Sequence, residues 1–498
     1  MASAARRSVA NVFAIGSLFA IAVVPPPASG TEEGPVPGPN VNMAGGPVKF
    51  RLSPPPVAIE EGDPFLQRQN EPSCAVMTRN PLRVFCGAND YRTVDIAGDP
   101  ELRLTRDAWL GLFWSVDGGE TWRNRLLPGF PQDGSEEGVT SPVHGWQAGA
   151  DPTVRAGAGD VIYYSGIAFN RDAINSSGAV DSGAQGKSGV LFVARFNHPN
   201  LPDDREPFRY LETTIVDRGR EGRFLDKPWL AVDAPRGGRT CRIEVPGATP
   251  QDVPAGNVYL AYSMFVNKKD PRSADDYRTR ILFTRSTDCG VTWKKSTKLS
   301  EGSTINQGAS IGIDPRNGWV YVVWRRLKTV KEKKGVVKER DGVLYVVSRD
   351  GGLTFSNPAA LPLQRVDEVG SLSPFFDQGA SDFSIRTVAF PHVAVGDSGV
   401  DGRPGPVYVT WSQRWPQVRN GVATRDARVV LSVGTPSGNG IDWSAAAPIH
   451  DPPGVRGHQI QPTAQVVGGK LNVAYVSLEH THSVGVFERV DHPGPDDI

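Results

Sequence analysis

Three carboxylates occupy matching places in this sequence, each at the opening of a short apolar strand. They are Glu71 in Glu71-Pro72-Ser73-Cys74, Asp151 in Asp151-Pro152-Thr153-Val154, and Asp226 in Asp226-Lys227-Pro228-Trp229. Asn70 accompanies Glu71, and the corresponding places further along hold Asn306 and Gln307, His392, and His458 with Gln461. Brought round one axis, such strand openings form a polar ring. Its carboxylates could divide proton donation and acceptance across a glycosidic bond, or hold a Ca²⁺-like cation through oxygen ligands. The plainer use is to cap strand ends and order water in a channel. Glu479, His480 and His482 form a second cluster, its imidazoles at i and i+2 on one strand face as a metal would need. No third ligand accompanies them, so a surface cluster is expected, and no metal or other cofactor is implied.

The elements that would position these residues recur six times, each copy pairing a short alternating strand with a stronger apolar one. The pairs are 71–76 with 83–86, 151–154 with 161–164, 227–232 with 258–262, 309–313 with 320–324, 391–395 with 407–411, and 461–466 with 471–475. Three copies carry the pattern Ser-x-Asp-x-Gly-x-Thr followed by an aromatic residue: 115–122 with Asp117 and Trp122, 286–293 with Asp288 and Trp293, and 348–355 with Asp350 and Phe355. Residues 437–443 look like a worn fourth copy. In such a turn the Asp and Ser side chains bond backbone N–H groups, glycine supplies a permissive backbone, and the aromatic folds back onto the sheet. With 55 Gly and 42 Pro in 498 residues, the chain reads as many short strands joined by turns. Radial repetition of such units predicts an all-β protein, a six-bladed β-propeller with four-stranded antiparallel blades over residues 47–498. A strand around 48–52 is expected to complete the last blade, and the Lys-rich stretch 331–335 reads as a solvated hairpin tip.

Residues 1–30 have the order of a secretory signal: Arg6 and Arg7, an apolar run over 12–24, then small residues at 28–30. The run is short for a membrane span, so no span is expected after cleavage, and the protein is placed outside the cell or in a periplasm. Residues 31–46, rich in Gly and Pro, read as a flexible leader. In an oxidising compartment the four cysteines are expected to pair. Cys74 and Cys86 flank the turn 78–81 and so face each other across a hairpin, which leaves Cys241 with Cys289. Lys plus Arg and Asp plus Glu each number 54, so no basic excess points to a nucleic-acid partner. A monomer is expected.

The repeated turn, the six-fold count and the export signal together resemble the sialidase (neuraminidase) superfamily, in which the turn is the Asp-box, or BNR repeat, of the scaffold. The likeness runs from about residue 70 to about residue 475. It implies a glycan partner and a site with three arginines that grip a substrate carboxylate in bidentate forks. It also implies a Tyr nucleophile paired with a Glu, and an Asp acid/base, an exception to the two-carboxylate rule of glycosidases. On this sequence the arginine places fall at Arg68, beside Asn70 at the matching position itself, at Arg325 and Arg326, and at Arg414 or Arg419. The acid/base falls at Asp95 or Asp99. The nucleophile position holds Gln461 and its activating partner Gln307, and an amide is no nucleophile. Two functions follow: an exo-glycosidase of sialidase type acting on acidic sugars, or a non-catalytic glycan- or protein-binding propeller that keeps only the scaffold.

Overall fold

A computed structural model describes residues 41–44, 49–51, 58–61, 69–94, 107–170, 189–199, 208–219, 223–267, 277–301, 304–327, 329–331, 337–339, 342–362, 390–400, 402–415, 417–419, 422–424, 426–438, 440–451 and 457–477. The second strand of each of the first five repeats is apolar on both faces, as in Val161–Phe169, where Val161 and Tyr163 join one core while Ile162 and Tyr164 join another. Alternation of side chains along a strand makes that possible only if a sheet is covered on both sides.

The sheets are antiparallel and meet that condition by stacking face to face. Sheet one holds Gln69–Val76, Val84–Asp90, Trp109–Ser115 and Arg123–Leu126. Sheet two holds Ala148–Ala156, Val161–Phe169, Gly189–Asn197 and Arg209–Arg218. Sheet three holds Arg223–Val232, Val258–Asn267, Tyr277–Ser286 and Thr297–Lys298, and sheet four Ile305–Ile313, Val320–Leu327, Gly342–Ser348 and Ala359–Ala360. Sheet five runs His392–Val395, Val407–Arg414 and Ala427–Ser437, and its third strand pairs with both Gly440–Trp443 and Ala447–Pro448. A hairpin of Gln459–Val467 and Lys470–Ser477 follows. One apolar core fills each gap from sheet one to sheet five in sequence order; Phe85 and Trp114 face Phe192 and Phe196 in the first, and Tyr321 and Val323 face Val407 and Trp411 in the last.

The innermost strands are also tied to one another in order. Val154 N donates to Ser73 Oγ at 3.0 Å, Thr153 Oγ1 to the Pro228 carbonyl at 2.8 Å, Val393 N to Ser310 Oγ at 3.2 Å, and Ala464 N to His392 Nδ1 at 3.2 Å. This is the radial arrangement of a β-propeller, with five full sheets and, among the described residues, two strands of a sixth repeat. The strand Lys49–Arg51 pairs with Ala58–Glu61; residues 478–498, where it was expected to complete the last blade, lie outside the described residues. Met43 and Ala44 pack on Cys86, Ala88, Phe113 and Trp122 of sheet one, where Asn124 Nδ2 donates to both of their carbonyls at 3.2 Å.

Both disulfides form as the sequence predicts. Cys74 and Cys86 are cross-strand partners with Cα atoms 4.1 Å apart, and Cys241 ties the hairpin Thr240–Ile243/Gln251–Pro254 to Cys289 in the second Ser-x-Asp turn. Residues 437–443 differ from the other three turns. Ser437 pairs with Gly440 and Pro436 with Ile441, so the strand simply continues into a tight hairpin. Among the described residues no helix is long and apolar enough to cross a membrane.

Candidate functional site

In every repeat but the fifth, where residues before 390 lie outside the described set, the innermost strand is interrupted near its start. The register slips between Asn70 and Ser73, Ala150 and Thr153, Asp226 and Trp229, Gln307 and Ser310, and Ile460 and Thr463. At each slip one residue has left-handed φ: Glu71 at 54°, Asp151 at 61°, Lys227 at 48°, Gly308 at 65° and Gln461 at 53°. A bulge re-aims its side chain away from the ladder. For a non-glycine residue, and one that precedes proline in four of the five cases, it costs about 1–2 kcal/mol each. Strain repeated at one structural position marks where the fold places its special side chains.

Three of those side chains meet. Lys227 Nζ donates to Glu71 Oε1 at 2.5 Å and to Asp151 Oδ1 at 2.8 Å, joining repeats one, two and three. The Lys227 backbone N–H donates to Asp151 Oδ2 at 3.0 Å, and Asp151 N donates to Asn89 Oδ1 at 2.8 Å. Asn89 Nδ2 in turn donates to Asn70 Oδ1 at 2.8 Å and Glu71 Oε2 at 3.2 Å. Asp226, half-buried, precedes Lys227 at the same bulge and is near enough to Asp151 for the two carboxyls to shift each other. The cluster opens to solvent on one side: the Glu71 side chain is 41% exposed, that of Asp151 only 8%. Glu71 and Lys227 touch although their repeats are not adjacent, which requires strands converging on an axis.

The electrostatics separate the carboxyls. Burial works to protonate Asp151, but Lys227 and hydrogen bonds from Glu71 and Asp226 more than offset it, so Asp151 is held well below the usual carboxylate range. Burial and the negative charge of Asp151 push Asp226 well above that range, against the pull of Lys227. Glu71 is also raised, by partial withdrawal from water against the opposing pull of Lys227. Burial alone would lower Lys227, yet Asp151, Glu71 and Asp226 keep its ammonium above its ordinary value. Asp151 and Asp226 are therefore pushed in opposite directions, the first toward its ionised form and the second toward its protonated one. The cation these carboxylates hold is the chain's own lysine.

Other expected residues are dispersed. Arg325 and Arg326 are consecutive on Val320–Leu327, so they point to opposite faces of sheet four: Arg325 continues the Tyr321 and Val323 side, Arg326 the Val322 and Trp324 side. They cannot share one carboxylate-gripping pocket. Arg325 is also 2% exposed, lying opposite Gln307 and Val343. Arg414 ends its strand opposite Ala427, and Arg419 lies in the hairpin Gln417–Arg419/Val422–Thr424. Gln461 is exposed at its bulge and Gln307 immediately precedes Gly308. Asn306 is buried and accepts from Trp324 Nε1 at 2.9 Å, and His458 Nδ1 accepts from Ala427 N at 3.0 Å, so both serve the packing. Arg68, Asp95, Asp99, His480 and His482 lie outside the described residues. Sequence reasoning missed Asn89 and the central role of Lys227. The available signal was the recurrence of a polar residue before proline at four strand openings: Glu71, Asp151, Lys227 and Gln461.

The three Ser-x-Asp turns repeat one bonding scheme. Ser115 Oγ donates to Asp117 Oδ1 at 2.7 Å and accepts from Gly119 N at 2.8 Å, while Asp117 accepts from Thr121 N at 2.9 Å and Thr121 Oγ1 at 2.5 Å. Ser286 and Asp288, and Ser348 and Asp350, do the same within 0.1 Å. These bonds, chiefly from Thr121, hold Asp117 down at about 2; Asp350 is held at about 2 by the corresponding bonds against a burial that works the other way. In sheet one Val76, Val84 and Ser115 are in register at one end, and Gln69, Asp90 and Trp109 at the other. The turn thus sits across a seven-residue strand, about 20 Å from the bulge.

No protein-family model matches the sequence, and no curated protein matches it. Solved structures do resemble it in shape. An α-L-arabinanase from Penicillium chrysogenum matches at 11% identity over 84% of this chain and 95% of its own, with a TM-score of 0.42. The NanB sialidase from Streptococcus pneumoniae matches at 13% identity over 83% of this chain and 66% of its own, TM-score 0.35. A leech intramolecular trans-sialidase matches at 11% identity over 82% and 64%, TM-score 0.36. The chain thus spans just under two-thirds of the length of those two enzymes.

Proposed function

We propose that this protein is an exported six-bladed propeller that engages glycans at the bulge end of its channel, with Asp226 as proton donor. The carrying observation is the cluster in which Lys227 joins Glu71 and Asp151 at the solvent-open end, with Asp151 and Asp226 pushed in opposite directions. Divided roles of this kind are what hydrolysis of a glycosidic bond needs. Asp151 and Asp226 shift each other strongly enough to act as one donor unit, and because Lys227 ties Glu71 to the same unit, the opposing acceptor is Asp95 or Asp99. A narrower preference for acidic sugars would draw on Lys227 rather than on Arg325 and Arg326 together. The two disulfides fit an oxidising compartment, outside the cell or in a periplasm.

A second reading, binding without turnover, is favoured by Lys227, whose ammonium fills the space between Glu71 and Asp151 and pins both. A panel of fluorogenic glycosides that includes a sialoside separates the two. Turnover reduced about 10²- to 10⁴-fold in Asp226→Asn supports catalysis. Saturable glycan binding with no turnover supports the second reading, and neither turnover nor binding across the panel rejects both.

A further inference from the structure

Below the carboxylates the axis carries a cation, Arg155, that no Asp or Glu pairs with among the described residues. Arg155 extends from repeat two with its guanidinium carbon 5.0 Å from the ring centroid of Trp229 in repeat three. Its Nη1 donates to the Val154 carbonyl at 2.7 Å and to Ser73 Oγ of repeat one at 3.4 Å. Its Nε and Nη2 make no protein hydrogen bond, and no Asp or Glu pairs with it, among the described residues. His392 of repeat five meets Trp229 edge-on at 4.8 Å. Because His392 Nδ1 accepts from Ala464 N, the ring proton sits on Nε2, 3.4 Å from Thr463 Oγ1.

This guanidinium therefore meets an aromatic face, the Ser73 hydroxyl and the Val154 carbonyl, and His392 meets the same indole. Burial pushes Arg155 down to about 10, and burial together with Arg155 pushes His392 down to about 3, so the imidazole stays neutral. Arg155 and His392 are both partly open to solvent, and arginine keeps its charge there. A bound counter-ion would use the idle donors.

We infer that the channel binds a monovalent anion, a halide or a ligand carboxylate, between the Arg155 guanidinium and His392 Nε2–H. The site is independent of the acid–base assignment above it, since it needs neither Asp226 nor turnover. Crystals of the full chain soaked in sodium bromide should show an anomalous peak within contact of Arg155 and His392, absent in Arg155→Met. Bromide confined to the outer surface, or unchanged in that variant, overturns the inference. In solution, sodium chloride should raise the Tm above that in sodium gluconate at equal ionic strength, and this difference should vanish in Arg155→Met. Should that variant fail to fold, His392→Phe keeps the ring against Trp229 and removes one donor. It should weaken bromide binding about tenfold, and unchanged affinity there also overturns the site. Displacement of bromide by acetate assigns the place to a ligand carboxylate; bromide that resists acetate assigns it to a halide.

Discussion

The two ends of each sheet use charge in opposite ways. At the turn end, Asp117, Asp288 and Asp350 repeat one bonding scheme, and arginines latch neighbour to neighbour: Arg79 to Asp160, Arg236 to Asp233 and the carbonyls of 314–316, Arg316 to Asp397. At the bulge end the backbone geometry repeats while the side chain changes from Glu71 to Asp151, Lys227, Gly308 and Gln461. Sameness of side chain and bond marks scaffold. Sameness of backbone with varied, clustered side chains marks a place where the fold has been used to assemble chemistry.

The contrast can be broken most sharply through activity. Asp226→Asn should remove turnover by two orders of magnitude or more, about 10²-fold at the least, whereas Asp117→Ala, about 20 Å away, should leave it within a factor of about 2 at saturating substrate. Equal losses would mean that the bulge end is not the site. Next in size, Lys227→Met leaves Asp151 buried beside two carboxyls without its cation and should cost about 3 kcal/mol in urea unfolding. Gly308→Ala tests the backbone alone. An added Cβ would lie 2.1 Å from Phe390 Cγ, at a left-handed φ, so a loss of about 2–4 kcal/mol is expected. The smallest effect belongs to Asp117→Ala, about 1 kcal/mol, because its bonds are near the surface.

The ends should also respond to pH with opposite sign. Asp117 and Asp350, held at about 2 against an ordinary 3.8, contribute stability above pH 3.8 that is lost as pH falls toward 2. Asp226 is raised, so its contribution is present below its unfolded value and lost as pH rises through its folded one. Acid unfolding followed in Asp117→Ala/Asp350→Ala should show a shallower slope below pH 4. The alkaline limb of the pH–rate profile should respond to Asp226→Asn and not to the turn variants.

The features legible in the sequence were those written within one repeat. The strand pairs, the Ser-x-Asp turns and the Cys74–Cys86 bridge depend on residues a few positions apart, and local periodicity displays them. The opposed faces of Arg325 and Arg326 were equally local, since adjacent residues on a strand point apart. The gathering of Glu71, Asp151, Asp226 and His392 round one axis was legible from the strand openings, but the placing of the Lys227 ammonium between Glu71 and Asp151 was not, because it depends on bulges that shift each side chain out of the regular alternation. The meeting of Arg155 with Trp229 was not legible either, each being unremarkable within its own strand.

The ion pair from Lys227 to Glu71 joins residues 156 positions apart, with Asp151 midway. Contacts of such separation form late, after local hairpins have paid for most of the ordering. During synthesis the first sheet can pair while its bulge carboxylate still waits for a lysine not yet made. The cluster therefore comes into being only once three consecutive sheets have docked, so a nascent or truncated chain carries the Ser-x-Asp turn without the carboxylate–lysine cluster.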